Sequence, residues 1–211
     1  MKALVISGGT MLPLSMAQAY IGNADLILCA DSGADHARAY GIVPDIILGD
    51  MDSVSEKALD TTAKIFPHPP EKDDTDTKIA VDKAMELGAG QIDIICGTGD
   101  RLDHTMANIW LLAYMADRNV SGRVVDARNV ILLCRDRLEL TGKEGAFVSI
   151  LPFSDRVEGV TLTGFRYPLK NQSIPRSWTQ GVSNEIMGET GVIQVREGTV
   201  LVFFSEDSRV L

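Results

Sequence analysis

Leu26-Ile27-Leu28-Cys29-Ala30-Asp31-Ser32-Gly33-Ala34 and Pro44-Asp45-Ile46-Ile47-Leu48-Gly49-Asp50-Met51-Asp52-Ser53 have the same form, a short apolar run that ends abruptly in acid and glycine. An apolar run of three to five residues bounded by turn formers reads as a strand buried on both faces, the habit of parallel sheets. Ala3 to Ile6, Ile92 to Cys96 and Arg123 to Asp126 repeat the pattern, and Lys64 to Phe66 repeats it more weakly. Helix-like segments lie between the runs, notably Thr77 to Leu87, closed by Gly88, and His104 to Met115, where Met106, Ile109, Trp110 and Ala113 follow one helical face. The alternation predicts an α/β domain over residues 1–126 with a mostly parallel, Rossmann-like sheet.

Past Asn129 the texture changes. Val130 to Leu133, Phe147 to Leu151, Val157 to Leu162, Ile193 to Val195 and Val200 to Phe204 are β-type runs separated by glycines, with no helical period among them. Residues 127–211 are therefore expected to form an all-β sandwich, the boundary falling in the polar gap at Asp126 to Asn129.

Composition narrows the class. Apolar residues are 45% and charged residues 23% of 211, ordinary for a globular protein with a sizeable core. A formal charge of −9 repels polyanions, so no nucleic-acid partner is expected. Cys29, Cys96 and Cys134 are odd in number, lack C-x-x-C spacing and sit in apolar runs, which reads as buried reduced thiols. The first apolar run is too short for a signal peptide or a span, so neither membrane nor export is expected and the cytoplasm is the expected location.

In open parallel sheets ligands bind beyond the carboxyl ends of the strands, and here those positions are acidic. Asp31 follows one strand, Asp50 and Asp52 follow another, Asp100 and Asp103 follow a third, and Asp73, Asp74 and Asp76 open a helix. Any one aspartate alone reads equally well as a turn former or helix cap. Together they are costly, since two carboxylates ~4 Å apart repel by about 1–4 kcal/mol at effective dielectrics between 80 and 20. Oxygen ligands without histidine or thiolate suit Mg2+, which bridges carboxylates to substrate phosphates. Asp50 and Asp52, two apart on an extended segment, are the first choice of ligands.

Donors for phosphate stand nearby. Lys72 precedes the acidic cluster, and Gly97-Thr98-Gly99 leads to Arg101 at a helix start, where free N–H groups favour anions. Arg101 either grips phosphate by two hydrogen bonds or pairs with Asp100 or Asp103. No G-x-x-x-x-G-K-[ST] loop occurs; Ser7-Gly8-Gly9-Thr10 after the first strand could cradle phosphate, but it lacks the full dinucleotide pattern and such a segment is more often just a tight turn.

Asp31-Ser32-Gly33-Ala34, Pro44 through Ser53, Lys72-Asp73-Asp74-Thr75-Asp76 and Gly99-Asp100-Arg101-Leu102-Asp103-His104, in this order and spacing, resemble thiamine pyrophosphokinase. Downstream, Gly164-Phe165-Arg166-Tyr167-Pro168-Leu169 and Gly181-Val182-Ser183-Asn184-Glu185 extend the likeness to nearly the whole chain. The resemblance implies transfer of pyrophosphate from ATP, as co-substrate, to the hydroxyl of thiamine, giving thiamine diphosphate and AMP. It also implies a homodimer with thiamine at the subunit interface. Mapped onto this chain, ATP falls to Asp31, Lys72, Thr75, Gly99, Arg101, Asp103 and His104, and Mg2+ to Asp50, Asp52, Asp73 and Asp76. Asp73, Asp76 and Arg101 are the catalytic candidates. Tyr167 or Trp178 would face the thiamine rings, and Ser183 and Asn184 would bond its aminopyrimidine. The chain departs from the family in having Gly99-Asp100 where paired glycines are common, which adds a negative charge beside the phosphate loop. Two other classes fit part of the pattern: a nucleotide-sugar transferase with an Asp50-Met51-Asp52 metal site, and a nucleotide or thiamine sensor without turnover.

Overall fold

The computed structural model describes residues 1–69, 74–141 and 145–205; Lys72 and Asp73 fall outside them. The chain divides into two compact units, Met1–Ala127 and Arg128–Leu211.

The first unit carries six parallel strands: β1 Lys2–Ile6, β2 Leu26–Ala30, β3 Ile46–Gly49, β4 Lys64–Pro67, β5 Gln91–Ile95 and β6 Ser121–Val125. They pair in the order β4-β3-β2-β1-β5-β6. The inner strands are mostly apolar and buried, Ala3 to Ile6 being at most 1% exposed, with Asp93 of β5 the buried charge among them. Edge strand β4 is exposed along its length and ends in Pro67, which blunts the edge. Strand β1 pairs with β2 on one side and β5 on the other, so later crossovers run in the opposite direction from the first. A crevice opens beyond the carboxyl ends of strands at such a switch point.

Five helices connect these strands: α1 Leu14–Ile21, α2 Gly33–Ala39, α3 Glu56–Leu59, α4 Asp76–Glu86 and α5 Leu102–Ala116. Helix α4 buries Thr77, Ala80, Val81 and Ala84, spaced three and four apart. Thr75 caps it, its hydroxyl accepting the Lys78 N–H at 3.3 Å, and Gly88 at φ 91° ends it. In α5 the buried face is Asn108, Ile109, Leu111, Leu112, Ala113 and Met115, while Met106 and Trp110 are each 45% exposed. The expected face is therefore rotated by about one position. Leu112 and Met115 reach the sheet, where a Cβ on Gly122 would lie 2.2 Å from the Met115 methyl. Helices α2 and α3 are short and built largely of small and polar residues, which carry little helical period; α1 is only eight residues long.

The second unit is all β among its described residues: β7 Asn129–Cys134, β8 Arg137–Thr141, β9 Phe147–Pro152, β10 Arg156–Thr163, β11 Leu169–Pro175, β12 Asn184–Glu185, β13 Thr190–Gln194 and β14 Val200–Ser205. Antiparallel pairing gives two groups, β12-β9-β14-β7 and β11-β10-β13-β8. Val148, Ile150, Val200 and Val202 from the first and Val157, Val160, Ile174 and Ile193 from the second share one core. Strand β8 escapes a search for apolar runs because one face is polar and exposed, and β11 because five of its seven residues are exposed. No helix among the described residues is long and apolar enough to cross a membrane.

Candidate functional site

Three turns meet at the carboxyl ends of β1, β2 and β5, and glycine lets them touch backbone to backbone. A Cβ on Gly9 would lie 2.3 Å from the Thr98 carbonyl oxygen and 2.6 Å from that of Cys96; on Gly33 it would lie 2.0 Å from the Ile6 oxygen. Gly9 and Thr10 N–H groups donate to the Cys96 and Thr98 carbonyls at 2.8 and 2.7 Å. The Ser7-Gly8-Gly9-Thr10 turn is thus stitched to the Gly97-Thr98-Gly99 turn, with Ser7 pinned by a buried 2.9 Å bond between its hydroxyl and that of Thr77.

These turns and the first residues of α4 and α5 enclose a cavity of about 540 Å³. Ser7, Gly8, Gly9 and Thr10 line it from β1, and Asp31 and Ser32 from β2. Gly97 to Arg101 line it from β5, Thr75 to Thr77 from α4, and His104, Thr105 and Asn108 from α5. Its wall is short hydroxyls, backbone and two helix N-termini, a surface suited to phosphate oxygens. Helix α5 holds the β5 turn in shape: Asn108 donates to the Gly97 carbonyl at 2.7 Å, and the Thr105 hydroxyl bonds Gly99. Thr105 and Asn108 carry no charge and fall in no motif, so nothing in the sequence marks them for this site.

Beside the cavity lies an acidic group. Asp31, Asp50 and Asp52 each place a carboxylate oxygen within 4.8 Å of the other two, Asp31 and Asp50 being partly buried. The Oδ1 atom of Asp31 is buried and has no hydrogen-bond partner among the described residues, so its lone pairs are open to a cation or a donor. The family resemblance implies a nucleotide contact for Asp31; the structure puts it in the acidic group as well as on the cavity wall. Asp50 and Asp52 meet through a bend rather than along an extended strand. Met51 adopts φ 65°, and the Asp52 N–H donates to Asp50 Oδ1 at 3.2 Å. Asp31 itself has φ 48°, tolerated by Asp, and its N–H donates to Leu48 O at 2.7 Å. Gly49 fits here because a Cβ would lie 3.1 Å from Asp31 Cα. Ser53 donates to Asp31 and lies 3.0 Å from Asp52 Oδ1.

The remaining expected residues are distributed as follows. Thr75, Asp76, Gly99, Asp100, Arg101 and His104 line the cavity. Arg101 is closed onto Asp103 by two bonds of 3.0 and 2.7 Å, both side chains exposed, and this guanidinium holds the Asp103 carboxyl well below the usual carboxylate range. Such an exposed pair contributes little, so Arg101 can exchange Asp103 for phosphate at small cost. Lys78, unmarked by sequence, bonds Asp74 at 3.0 Å and Asp82 at 2.8 Å and lies over Tyr114, tying the start of α4 to α5.

In the second unit, Tyr167 is 62% exposed with Arg166 beside its ring. Trp178 packs on the core against Gly181, where a Cβ would lie 2.3 Å from its ring. Asn184 is buried and clamps Tyr167: its Oδ1 accepts the Tyr167 N–H at 2.9 Å and its Nδ2 donates to the Tyr167 carbonyl at 2.8 Å. Asn184 therefore shapes the Tyr167 turn, while Ser183 is exposed at φ 58°.

Residues 17–123 match the family model for the thiamin pyrophosphokinase catalytic domain, and residues 135–200 match that for its vitamin B1 binding domain. Thiamine pyrophosphokinase of Bacillus subtilis is 31% identical over 209 residues, covering 96% of this chain and 98% of that protein. The crystal structure of thiamin pyrophosphokinase from Geobacillus thermodenitrificans superposes with a TM-score of 0.87 at 32% identity, covering all of both chains. The Candida albicans enzyme, at 18% identity and a TM-score of 0.84 over 98% of this chain and 89% of its own, shares the fold. The chain belongs to the thiamin pyrophosphokinase family, enzymes that transfer pyrophosphate from ATP to thiamine.

Proposed function

We propose that the chain makes thiamine diphosphate and AMP from thiamine and ATP in the cytoplasm. Its Rossmann-like unit, residues 1–126, would bind ATP and Mg2+, and its β-sandwich, residues 127–211, would bind thiamine and dimerise. The observation that carries the site reading is the double position of Asp31. It is a wall of the cavity suited to phosphates and a member of the acidic group suited to a hard cation.

Asp31, Asp50 and Asp52 would hold Mg2+ together with Asp73 and Asp76, and the ion would offset phosphate charge and orient the triphosphate. The glycine turns and the starts of α4 and α5 hold the nucleotide phosphates, fixing the β-phosphorus for in-line attack. The thiamine hydroxyl oxygen bonds the β-phosphorus as the α–β bridging bond breaks, and AMP departs with the bridging oxygen. Asp73 or Asp76 takes the hydroxyl proton. Lys72 and Arg101 offset charge on the phosphoryl oxygens, so the protein's contribution is positioning and electrostatics. Tyr167 offers its exposed ring to the thiamine cation, and Asn184 keeps the Tyr167 turn in place. The family resemblance supports the homodimer and a thiamine position at its interface.

Phosphorus NMR of purified protein with ATP, thiamine and Mg2+ tests the reaction. Thiamine diphosphate and AMP should appear together, and only in the complete mixture; ADP as the product would mean single phosphoryl transfer and refute the reading.

A further inference from the structure

The segment 50–55 carries two of the three clustered carboxylates, and helix α2 together with the turn that leads into it grips the segment at two points. At the first, Ser53 bonds Asp31, the residue that leads into α2. At the second, the Asp35 carboxylate takes both polar hydrogens of Ser55: Oδ2 accepts the N–H at 3.0 Å, and Oδ1 accepts the hydroxyl. Ser55 is also the cap of α3, its Oγ accepting the Ala58 N–H at 3.3 Å, so the Asp35 bonds fix where the segment ends and α3 begins. Asp31 and Asp35 belong to one rigid turn, in which Asp31 O accepts the Ala34 N–H and Ser32 O accepts the Asp35 N–H, each at 3.0 Å. The bend at Met51, φ 65°, is closed internally by the Asp52 N–H on Asp50 Oδ1 at 3.2 Å, and the Ser53 and Ser55 contacts tie it to the turn that carries Asp31 and Asp35.

We propose that Asp35 is a positioning residue of the acidic centre: by holding Ser55 it fixes the Asp50–Asp52 segment against Asp31 and sets the affinity for a divalent cation. This rests on the metal reading of Asp31, Asp50 and Asp52 above. Without the Asp35 carboxylate, Ser55 turns to water, and the segment keeps Ser53 as its contact to the α2 turn. The three carboxylates then spend less time at ligand spacing. Partners that orient metal ligands from behind typically affect affinity by about 10- to 100-fold.

The test uses nucleotide-free protein, native and with Asp35→Ala, Asp35→Asn or Asp50→Asn, titrated with Mn2+ and read by the EPR signal of the free ion. Thermal midpoints and the Mg2+ dependence of turnover are measured in parallel. Asp35→Ala should weaken Mn2+ binding about tenfold and raise the Mg2+ concentration for half-maximal rate similarly. Asp35→Asn, which keeps shape and one acceptor, should fall between, and it supplies the comparison if the alanine variant does not fold. Unchanged Mn2+ affinity in the Asp35 variants beside a large loss in Asp50→Asn, even with a lowered thermal midpoint, overturns this inference and leaves the metal reading intact. Equal Mn2+ binding by native protein and Asp50→Asn, or none by either, overturns both.

Discussion

The Thr105 hydroxyl is bonded to both ends of the Gly99 residue, accepting its N–H at 3.1 Å and donating to its carbonyl at 3.4 Å. One side chain of α5 thereby fixes the orientation of the peptides at the turn that faces the cavity.

Replacing Thr105 with Val keeps the shape and removes both bonds. A net hydrogen bond contributes about 0.5–1.5 kcal/mol; with the 3.1 Å bond dominant over the longer 3.4 Å one, KM for ATP should rise by roughly 2- to 12-fold, and Thr105→Ser should restore it. Steady-state kinetics with ATP varied at saturating thiamine checks this; an unchanged KM in Thr105→Val would remove Thr105 from the nucleotide site.

Asp50→Asn and Asp52→Asn should each fold normally and lose on the order of 10² in kcat, comparable to removal of a charge stabiliser in other enzymes. Circular dichroism establishes the fold, and Mg2+ titration of the rate shows whether excess ion restores part of the loss. Near-native turnover in both variants would exclude them from the metal site.

Glycine spacing has a structural reason that alanine substitution exposes. Gly9→Ala drives a methyl into two carbonyl oxygens of the β5 turn and should destabilise by about 1–3 kcal/mol or more. Gly90→Ala, on an exposed bend with nothing within 4 Å of the added Cβ, should change stability little or raise it by about 0.4–1 kcal/mol. Urea unfolding of both variants measures the contrast, and equal midpoints would mean that the turns are not in backbone contact.

Asp35 also gives a pH dependence of known sign. Partial burial raises its pKa, but the bonds from Ser55 and then the charges of His36 and Arg38 outweigh that, and the net shift is downward. A carboxyl depressed in the folded state adds stability above its unfolded pKa, about 3.9, and loses it as pH falls through the lower folded value. The stability gap between native protein and Asp35→Asn should therefore be full at neutral pH and close below about pH 4. Urea titrations across that range check it; a gap that widens in acid contradicts the Ser55 contacts.

Asp93 is a buried charge, 1% exposed, held by Arg123 at 2.6 Å and Lys2 at 3.4 Å. Removing one partner of such a pair costs about 3–5 kcal/mol, so Arg123→Met should lower stability by about 3 kcal/mol, near the low end because Lys2 remains. Chemical denaturation measures the loss, and a neutral result would mean that Asp93 does not depend on Arg123.

Apolar runs made the inner strands legible, since a strand buried on both faces has no polar phase to obscure it: β1, β2, β3 and β5 begin and end within a residue or so of the runs read for them. Strands β8, β11 and β12 stayed hidden because their exposed faces dilute the apolar signal. Helix α2 was hidden by its two buried alanines and glycine, too small to mark a face. At the site, charge drew attention to Asp50, Asp52, Asp76 and Arg101, whereas Asn108 and Thr105 act through backbone contacts that only folding assembles. Asn184 was legible through the family segment, whereas its bonds to the Tyr167 backbone are visible only in the fold.

The most direct test of the site is a crystal grown with Mn2+ and a non-hydrolysable ATP analogue, measured for anomalous scattering. The account predicts a Mn2+ peak about 2.0–2.3 Å from carboxylate oxygens of Asp31, Asp50 and Asp52, with the triphosphate in the cavity between the Ser7 and Gly97 turns. A metal bound elsewhere, or phosphates outside that cavity, would contradict it.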